Sequence, residues 1–482
     1  MNPNTLTLVA SICLLAYEND NDAFIPEVWA QESLMVLENS LVAANLVHRD
    51  FSAQIQMFGD TVNTRRPNTF RGARKTDSDC VTDQDAIAAN CAVKLDQHLH
   101  TSFVIKDGEE SKGFPVLREV YLEPALLSLA ELMDEVILGQ VYEFLTLDDG
   151  TPNTVGQLGV AATKQTLIAV REKMNNNQVP QMGRQLVLTT ATEADLLAVD
   201  AFISAEKIGD DGTALREASL GKKFGVQTWM DQNTPGLSNA EVNDAAGLIN
   251  NVGGYAAGTV SIETDTWANA PFVAGAYLVV SGDGTPQRIT SVAGAPPAQT
   301  LGIFPGLSQA VADDAPITLY QHALVNLAAG YVTDWAKPIV IDTVTAAPKK
   351  GQLITFQAGN GRKSNFSSVL TIDETKLAIP SLVGIMPNRP TDLILTDNDI
   401  IGLGPSGNYN FAFHRNALTL VTRPLAAPQA GAGALSFVAN YKGLSVRVTI
   451  SYDSKCQGHR VTVDILAGVK VLDRRLGLVM LG

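Results

Sequence analysis

The sequence predicts an α+β protein that carries an inserted all-β unit. Three observations predict it. Residues 93–105 alternate apolar and polar, as a half-buried strand does. Residues 123–145 place apolar side chains at three- and four-residue steps, the period of a long amphipathic helix. Residues 258–385 are poor in charge and broken by Gly-Asp, Gly-Asn, Pro-Pro and Ala-Pro turns between short β-prone runs.

The N-terminal part opens with "TLTLVASICLLAY", the one signal-like apolar run, but "MNPN" supplies no basic residue before it and the run is too short to cross a bilayer. No export signal and no membrane span are expected. Pro26 then opens a helical segment in which Val28, Leu37, Leu41 and Ala44 share a face. A short strand is expected at 58–65. In the next strand Val93, Leu95, Leu99, Phe103 and Ile105 form one face, and Lys94, Asp96, His98, His100 and Ser102 the other. Together these strands predict a long two-stranded arm, marginal in water unless something covers it.

Pro124 starts the long helix, whose stripe runs through Leu126, Leu129, Met133, Val136, Ile137, Val141 and Phe144 to a stop at Asp148-Asp149-Gly150. At ~1.5 Å per residue it would span about 35 Å. Helix at "KQTLIAVREKMN", strand at "RQLVLTT", helix at "ATEADLLAVDAFI" and strand at "KFGVQTWM" make an α+β region. After the β-rich insertion, "LSVRVTISYD" directs Leu444, Val446, Val448, Ile450 and Tyr452 inward. "RVTVDILAGVKV" does the same with Val461, Val463, Ile465, Ala467, Val469 and Val471, and "SKCQGH" turns between the two.

A chain of 482 residues suggests two to four compact units at ~100–200 residues each. The formal net charge of −15 repels polyanions over the whole surface, so any contact with nucleic acid must be local. Cys13, Cys80, Cys91 and Cys456 lie far apart with no Cys-x-x-Cys pair, which indicates reduced thiols and neither a zinc site nor a disulfide framework.

The chain has no G-x-S-x-G elbow, no phosphate-binding G-x-x-x-x-G-K-[ST] loop and no H-E-x-x-H helix, so no enzyme, cofactor or metal is expected. "GLGPSG" at 402–407 fits a dinucleotide fingerprint by letters, but Pro405 interrupts it and strand-like "NYNFAFHR" follows where a helix must begin; it reads as a turn. His98 and His100 share a strand face, but no third ligand is near in sequence. Asp148-Asp149-Gly150 and Asp210-Asp211-Gly212 lack the glutamate that completes a calcium loop and read as turns.

One stretch stands against the acidic average. "VNTRRPNTFRGARK" holds Arg65, Arg66, Arg71, Arg74 and Lys75 and no acid. A nucleic-acid grip would need interleaved aromatics beyond Phe70 or a recognition helix, and a plain solvated loop is seldom so one-signed. Arginine forks pair with carboxylates, which the chain has in surplus, so the loop reads as facing another protein copy.

The order of parts resembles the major capsid (coat) proteins of tailed bacteriophages, nearest to short-tailed phage coat proteins with an inserted domain. The stretches that carry the resemblance are "NLVHRDFSAQIQMFGDTVNTRRPNTF", "YLEPALLSLAELMDEVILGQVYEFL", "NFAFHRNALTLVTRPL" and "AGVKVLDRRLGLVMLG". The resemblance implies the capsid fold shared by tailed phages and herpesviruses. It divides the chain into an N-terminal arm (1–44), an extended loop (45–114), a spine helix with part of the peripheral domain (115–160) and an axial domain in two pieces (161–257 and 386–435). The inserted β-rich domain (258–385) lies between those pieces, and peripheral terminal strands (436–482) end the chain.

By the same resemblance the chain would assemble as hexamers and pentamers into an icosahedral head in the host bacterial cytoplasm. It would enclose double-stranded DNA by weak non-specific contact and work with a portal and a separate scaffolding protein. Inter-subunit contacts are expected at Arg65, Arg66, Arg71, Arg74, Lys75, Glu109 and Glu110. Two other readings stand beside it: a secreted or surface β-rich binding protein, which needs an export signal, and a cellular nanocompartment shell protein of the same fold.

Overall fold

The computed structural model describes residues 33, 35, 37, 41–49, 61–66, 72, 74, 75, 81, 83, 89–106, 121–203, 220–237, 242–265, 272–295, 298–326, 338–342, 348–359, 361–373, 383–389, 393–428, 434–441, 444–455 and 458–482. In the N-terminal segment Leu37, Leu41 and Ala44 are buried, Val28 lies outside the described residues, and Ala43–Leu46 forms the short helix α1. Strands β1 (Thr61–Arg66) and β2 (Ala89–Lys94) pair antiparallel as a two-stranded ribbon. Strand β3 (Gln97–Lys106) follows after a break at Leu95 and Asp96.

That break corrects the expected arm. The alternation is real, with Val93, Leu95, Leu99 and Ile105 buried and Lys94, His98, His100 and Ser102 exposed. The single strand of 93–105 is instead two strands in two sheets, and β3 finds its partner within the chain.

Helix α2 (Glu123–Leu138) is 16 residues long and continues as a 3-10 helix (Gly139–Leu145) rather than as one α-helix to residue 145. The tighter turns begin where the chain meets another element. Asn388 donates its Nδ2 to the carbonyl of Val136 at 3.0 Å, satisfying an acceptor that an α-helical continuation would have used. Gly139 makes the approach possible: a Cβ there would lie 2.2 Å from Asn388 Nδ2 and 2.4 Å from Ser368 Oγ.

Beyond β4 (Thr154–Gly156) come α3 (Lys164–Asn176), β5 (Arg184–Leu188), α4 (Thr190–Leu197) and α5 (Asp200–Ile203). Then follow β6 (Lys222–Lys223), β7 (Val226–Met230) and β8 (Gly236–Leu237). The helix expected over "ATEADLLAVDAFI" is thus split in two, and Phe224 at φ 49° and Gly225 at φ 86° turn the expected strand "KFGVQTWM" back on itself. Thr163 caps α3 by accepting from the Thr166 amide, and Thr189 caps α4 from the Thr192 amide.

The β-rich unit is wider than 258–385 and double. Strands β9 (Val242–Ile249), β10 (Ser261–Asp265), β11 (Tyr277–Val280), β12 (Gln287–Ala295), β13 (Ala298–Phe304) and β14 (Pro316–Tyr320) close into one barrel. Strands β15 (His322–Val325), β16 (Ile339–Asp342), β17 (Leu353–Gln357), β18 (Ser367–Asp373), β19 (Val383–Pro387) and β20 (Ile400–Leu403) close into a second. "IIGLG" therefore belongs to the second barrel. Each barrel holds its own apolar core, centred on Ile249, Leu278, Ile289 and Leu319 in the first and on Ile341, Ile354, Phe356 and Ile401 in the second.

The chain then rejoins the first sheet. Strand β21 (Gly407–His414) pairs with β5 and with β26 (Gly477–Leu481), giving the order β4-β26-β21-β5-β7-β6, with β8 against β21. A five-stranded sheet holds β22 (Leu418–Arg423), β23 (Ala434–Tyr441), β24 (Leu444–Asp453), β25 (Gly458–Val471) and β3. Strands β24 and β22 share one edge of β25, and β3 runs along the other from Gly458 to Ala467. The inward set on β24 holds at Leu444, Val446 and Val448, but Tyr452 is 51% exposed, edge-on to His459 at the far end of the hairpin. Helix α2 packs one apolar stripe, through Leu126, Leu129, Met133 and Ile137, into the core shared by both sheets.

Candidate functional site: an assembly surface and its anchor

Among the described residues the ribbon β1–β2 is a sheet of its own, joined to no other strand. Its foot is fixed by Val62, Val93 and Leu95 packing on Val421 and Leu466 of the five-stranded sheet. Above that foot its described strands pair only with each other, in the register Thr61↔Lys94 to Arg66↔Ala89. Arg65 and Arg66 occupy the outer end of the ribbon, opposite Asn90 and Ala89. Arg74 and Lys75, farther along the chain, are exposed. Arg71, Glu109 and Glu110 lie outside the described residues, so the structure brings Arg65 and Arg66 together on one strand end and adds no geometry for the other three.

A network of buried polar groups is built around α2, and periodicity gave no sign of it. Asp134 is 2% exposed, and its carboxylate accepts from the amides of Val42 at 2.8 Å and Ala44 at 3.0 Å, tying the N-terminal segment to the helix. Burial, with the Asp231 charge adding to it, pushes the Asp134 carboxyl up to about 7. Burial also raises Glu135 above the ordinary carboxylate range, although Lys350 lies 2.6 Å away. Glu143 is held by Arg389 and, at 3.4 Å, by Arg474, which joins the 3-10 turn to the second barrel and to the C-terminal segment. Tyr142 completes the set by donating to the carbonyl of Gly351 at 2.7 Å.

The sequence motifs set aside above find ordinary places, except Asp210-Asp211-Gly212, which lies outside the described residues. Of residues 402–407, the first two end β20, 404–406 link it to β21 and Gly407 begins β21, in which "NYNFAFH" is strand. His98 Nε2 lies 3.4 Å from Asp464 Oδ2, and Arg447 also grips that carboxylate, with Nε at 2.9 Å from Oδ1. Among the described residues no three His, Cys, Asp or Glu side chains gather as a metal set. Asp149 accepts from the Thr151 amide in a turn that Gly150 closes at φ 82°. A cleft lined by Val160, Asp195, Leu237, Asn408 and Gly482 carries one titratable side chain, Asp195, which already accepts from the Ala162 amide at 3.2 Å. A lone engaged carboxylate offers no acid–base pair. Among the described residues no helix is long and apolar enough to cross a membrane.

No family model matches the chain, and no curated protein matches it. Solved structures do. A chain of Mycobacterium phage Che8 shares 12% identity, with 91% of this chain and 90% of that chain covered at a TM-score of 0.40. The capsid of cyanophage P-SCSP1u gives 10% identity, 88% and 84% coverage and a TM-score of 0.39. A virus-like particle from Pyrococcus furiosus gives 11% identity, 61% and 94% coverage and a TM-score of 0.27. Over most of its length this chain is similar to chains that build the capsids of bacteriophages.

Proposed function

We propose that the protein is the major capsid protein of a tailed bacteriophage, a structural subunit that assembles with copies of itself into an icosahedral shell around double-stranded DNA. The observation that carries this reading is the ribbon β1–β2, fixed at its foot and otherwise paired only with itself among the described residues. A two-stranded ribbon is marginal in water and gains most by lying on another surface. A neighbouring copy supplies that surface at every position of a ring, because a head-to-tail contact repeated around an axis closes into a capsomer. Arg65 and Arg66 at the ribbon's outer end then meet carboxylates of an acidic neighbour.

In this reading the seven-stranded sheet with α3 and α4 is the axial domain that surrounds hexamer and pentamer axes. The five-stranded sheet is the peripheral domain, and α2 is the spine between them. The acidic mean charge keeps DNA contact weak and non-specific, so that the genome slides during filling. A separate scaffolding protein and a portal complete the assembly in the host cytoplasm. The subunit needs no cofactor and has no catalytic role.

The test is electron microscopy and sedimentation of the protein made alone and together with the scaffolding protein of its own phage. Closed shells of uniform diameter are the expected result. A protein that stays monomeric under both conditions at all concentrations overturns the reading.

A further inference from the structure

We propose that residues 242–403 are a tandem repeat of one six-stranded barrel, and that each copy docks through the same face: the second on the spine helix, the first on the second. The two barrels have the same cyclic strand order. Named a to f along the chain, both run a-b-e-d-c-f and back to a, with every neighbour antiparallel.

The registers agree at all six joints as well, the one difference being that the pairing of β9 with β14 shifts beyond Ile317 where the second barrel does not. Leu278 faces Gln287 and Leu319 in the first barrel, as Ile354 faces Ser367 and Leu403 in the second. Ile317 faces Gly247 as Ile401 faces Ala323. Asp265 faces Leu248 as Asp342 faces Leu324. Ile262 faces Leu301 as Ile339 faces Ile385, and Ile289 faces Ile303 as Val369 faces Pro387. Following these correspondences round the ring returns to the first strand with no residue left over. A register slip at any one of the six joints would break that closure.

Irregular features fall at matching places too. Strand d bulges after Ile289 in one copy and after Val369 in the other. The amide of Gly275 donates to Ile289 and that of Gly351 to Val369, both at 2.8 Å, and both glycines have positive φ, 105° and 78°. Asp314 and Asn398, two of the few described non-glycine residues with positive φ, occupy the same position before strand f, at 59° and 65°. Their amides donate to Ile249 and Val325, which correspond. Bulges and left-handed residues are placed by local sequence rather than by the need to close a barrel, so their coincidence marks a shared origin.

Correspondence also identifies the docking face. On the second copy it is Lys350, Gly351, Ser368, Asn388 and Arg389, which meet Glu135, Tyr142, Gly139, Val136 and Glu143 of the spine. The corresponding residues of the first copy are Ala274, Gly275, Arg288, Phe304 and Pro305. Three of them lie on the second copy. The Gly275 carbonyl abuts Gly402, Arg288 Nη1 donates to the Ser364 carbonyl at 3.3 Å, and Phe304 stacks on Phe366 with centroids 6.1 Å apart.

Head-to-tail docking of this kind leaves the last copy's receiving side open. Here residues 154–158 fill it. Leu158 donates to the Gly284 carbonyl at 3.1 Å, and the Thr154 and Thr285 hydroxyls lie 3.4 Å apart. The stack therefore ends at two. This inference does not depend on the proposed shell function.

Three variants of the full chain test it by near-UV circular dichroism, thermal melting and size-exclusion chromatography. Deleting 242–317 removes the first copy, and Tyr277 with it from the core beside Tyr142, but leaves the contacts of Lys350, Gly351, Ser368, Asn388 and Arg389 with the spine in place. It is expected to give a soluble protein with a cooperative melt. Deleting 318–401 removes the second copy and sets the first copy's face against the spine with an arginine beside Gly139. It is expected to aggregate or melt without cooperativity. The same deletion carrying Ala274→Lys, Arg288→Ser, Phe304→Asn and Pro305→Arg restores the spine partners at corresponding positions and is expected to regain the cooperative melt. Failure of that graft overturns the equivalence of the two copies, and loss of cooperative folding on deleting 242–317 overturns the order of docking.

Discussion

Asp134 places one titratable group where the N-terminal segment meets the spine. Its folded carboxyl titrates near 7, above the ordinary value of 3.8. A carboxyl raised by folding stabilises fully below its unfolded value, and that contribution fades as pH rises through the folded one. The melting temperature of the subunit should therefore fall between about pH 4 and 8, and Asp134→Asn should flatten that slope. Differential scanning fluorimetry across this range is the check; equal slopes for parent and variant would remove Asp134 as the cause. Asp134→Ala removes the acceptor of two amides and should cost about 1–3 kcal/mol at acidic pH, read from urea melts.

The matching left-handed residues give a second test at this scale. Asp314→Val and Asn398→Val should each destabilise by about 1–2 kcal/mol, because a branched Cβ is disfavoured at positive φ, while the glycine variants stay near parent stability. Nothing in the composition around either residue announces this conformation. It follows from the tight connection into strand f.

Among the elements, α2 and the 3-10 turn after it depend on a residue 252 positions away in sequence. Gly139→Ala would drive a methyl group into Asn388 and Ser368, so both Gly139→Ala and Asn388→Ala should expose the Val136 carbonyl's lost partner as about 1–3 kcal/mol of destabilisation. Chemical denaturation measures this directly, and an unchanged midpoint for both would contradict the packing described. The apolar stripe of this segment was legible because 3.6-residue periodicity is a local property of a buried face. Its change of pitch at Gly139 was not, since the cause is a side chain from the second barrel. The alternation of β2 and β3 was legible for the same reason, whereas the break between them follows from which sheet each strand joins. The repeat is not legible in the sequence because few corresponding positions are identical, among them Leu248 and Leu324, Asn250 and Asn326, and Gly275 and Gly351. A barrel interior asks only for apolar residues of suitable volume, so the copies diverge in letters while keeping their register.

At the scale of the molecule, the ribbon β1–β2 and the acidic surface belong to one argument. Arg66→Glu should leave the melting profile unchanged, because its strand pairs through the backbone, yet reduce the yield of sedimenting shells several-fold by inverting one partner of a charge pair. Raising salt should weaken wild-type assembly in the same direction if exposed arginine–carboxylate pairs contribute. Normal shell yield from the variant would take Arg66 out of the interface. The candidate contacts were legible as a charge anomaly, five basic residues without an acid in an acidic chain. The place of Arg65 and Arg66 at the end of a ribbon that, among the described residues, packs on the sheet through its foot was decided by the pairing of β3 elsewhere.

The sequence by itself determined the α+β class, the buried stripes of the strands and the spine, the break between strands within 402–407 and the one-signed basic stretch. These depend on period, composition and turn chemistry, which act over a few residues. Only the tertiary structure decided that β3 leaves the ribbon for the five-stranded sheet, that the spine helix tightens at Gly139, and that the β-rich region is two matching barrels stacked on the spine. Each of those depends on hydrogen bonds and close contacts between residues far apart in the chain, where local pattern carries no information about the partner.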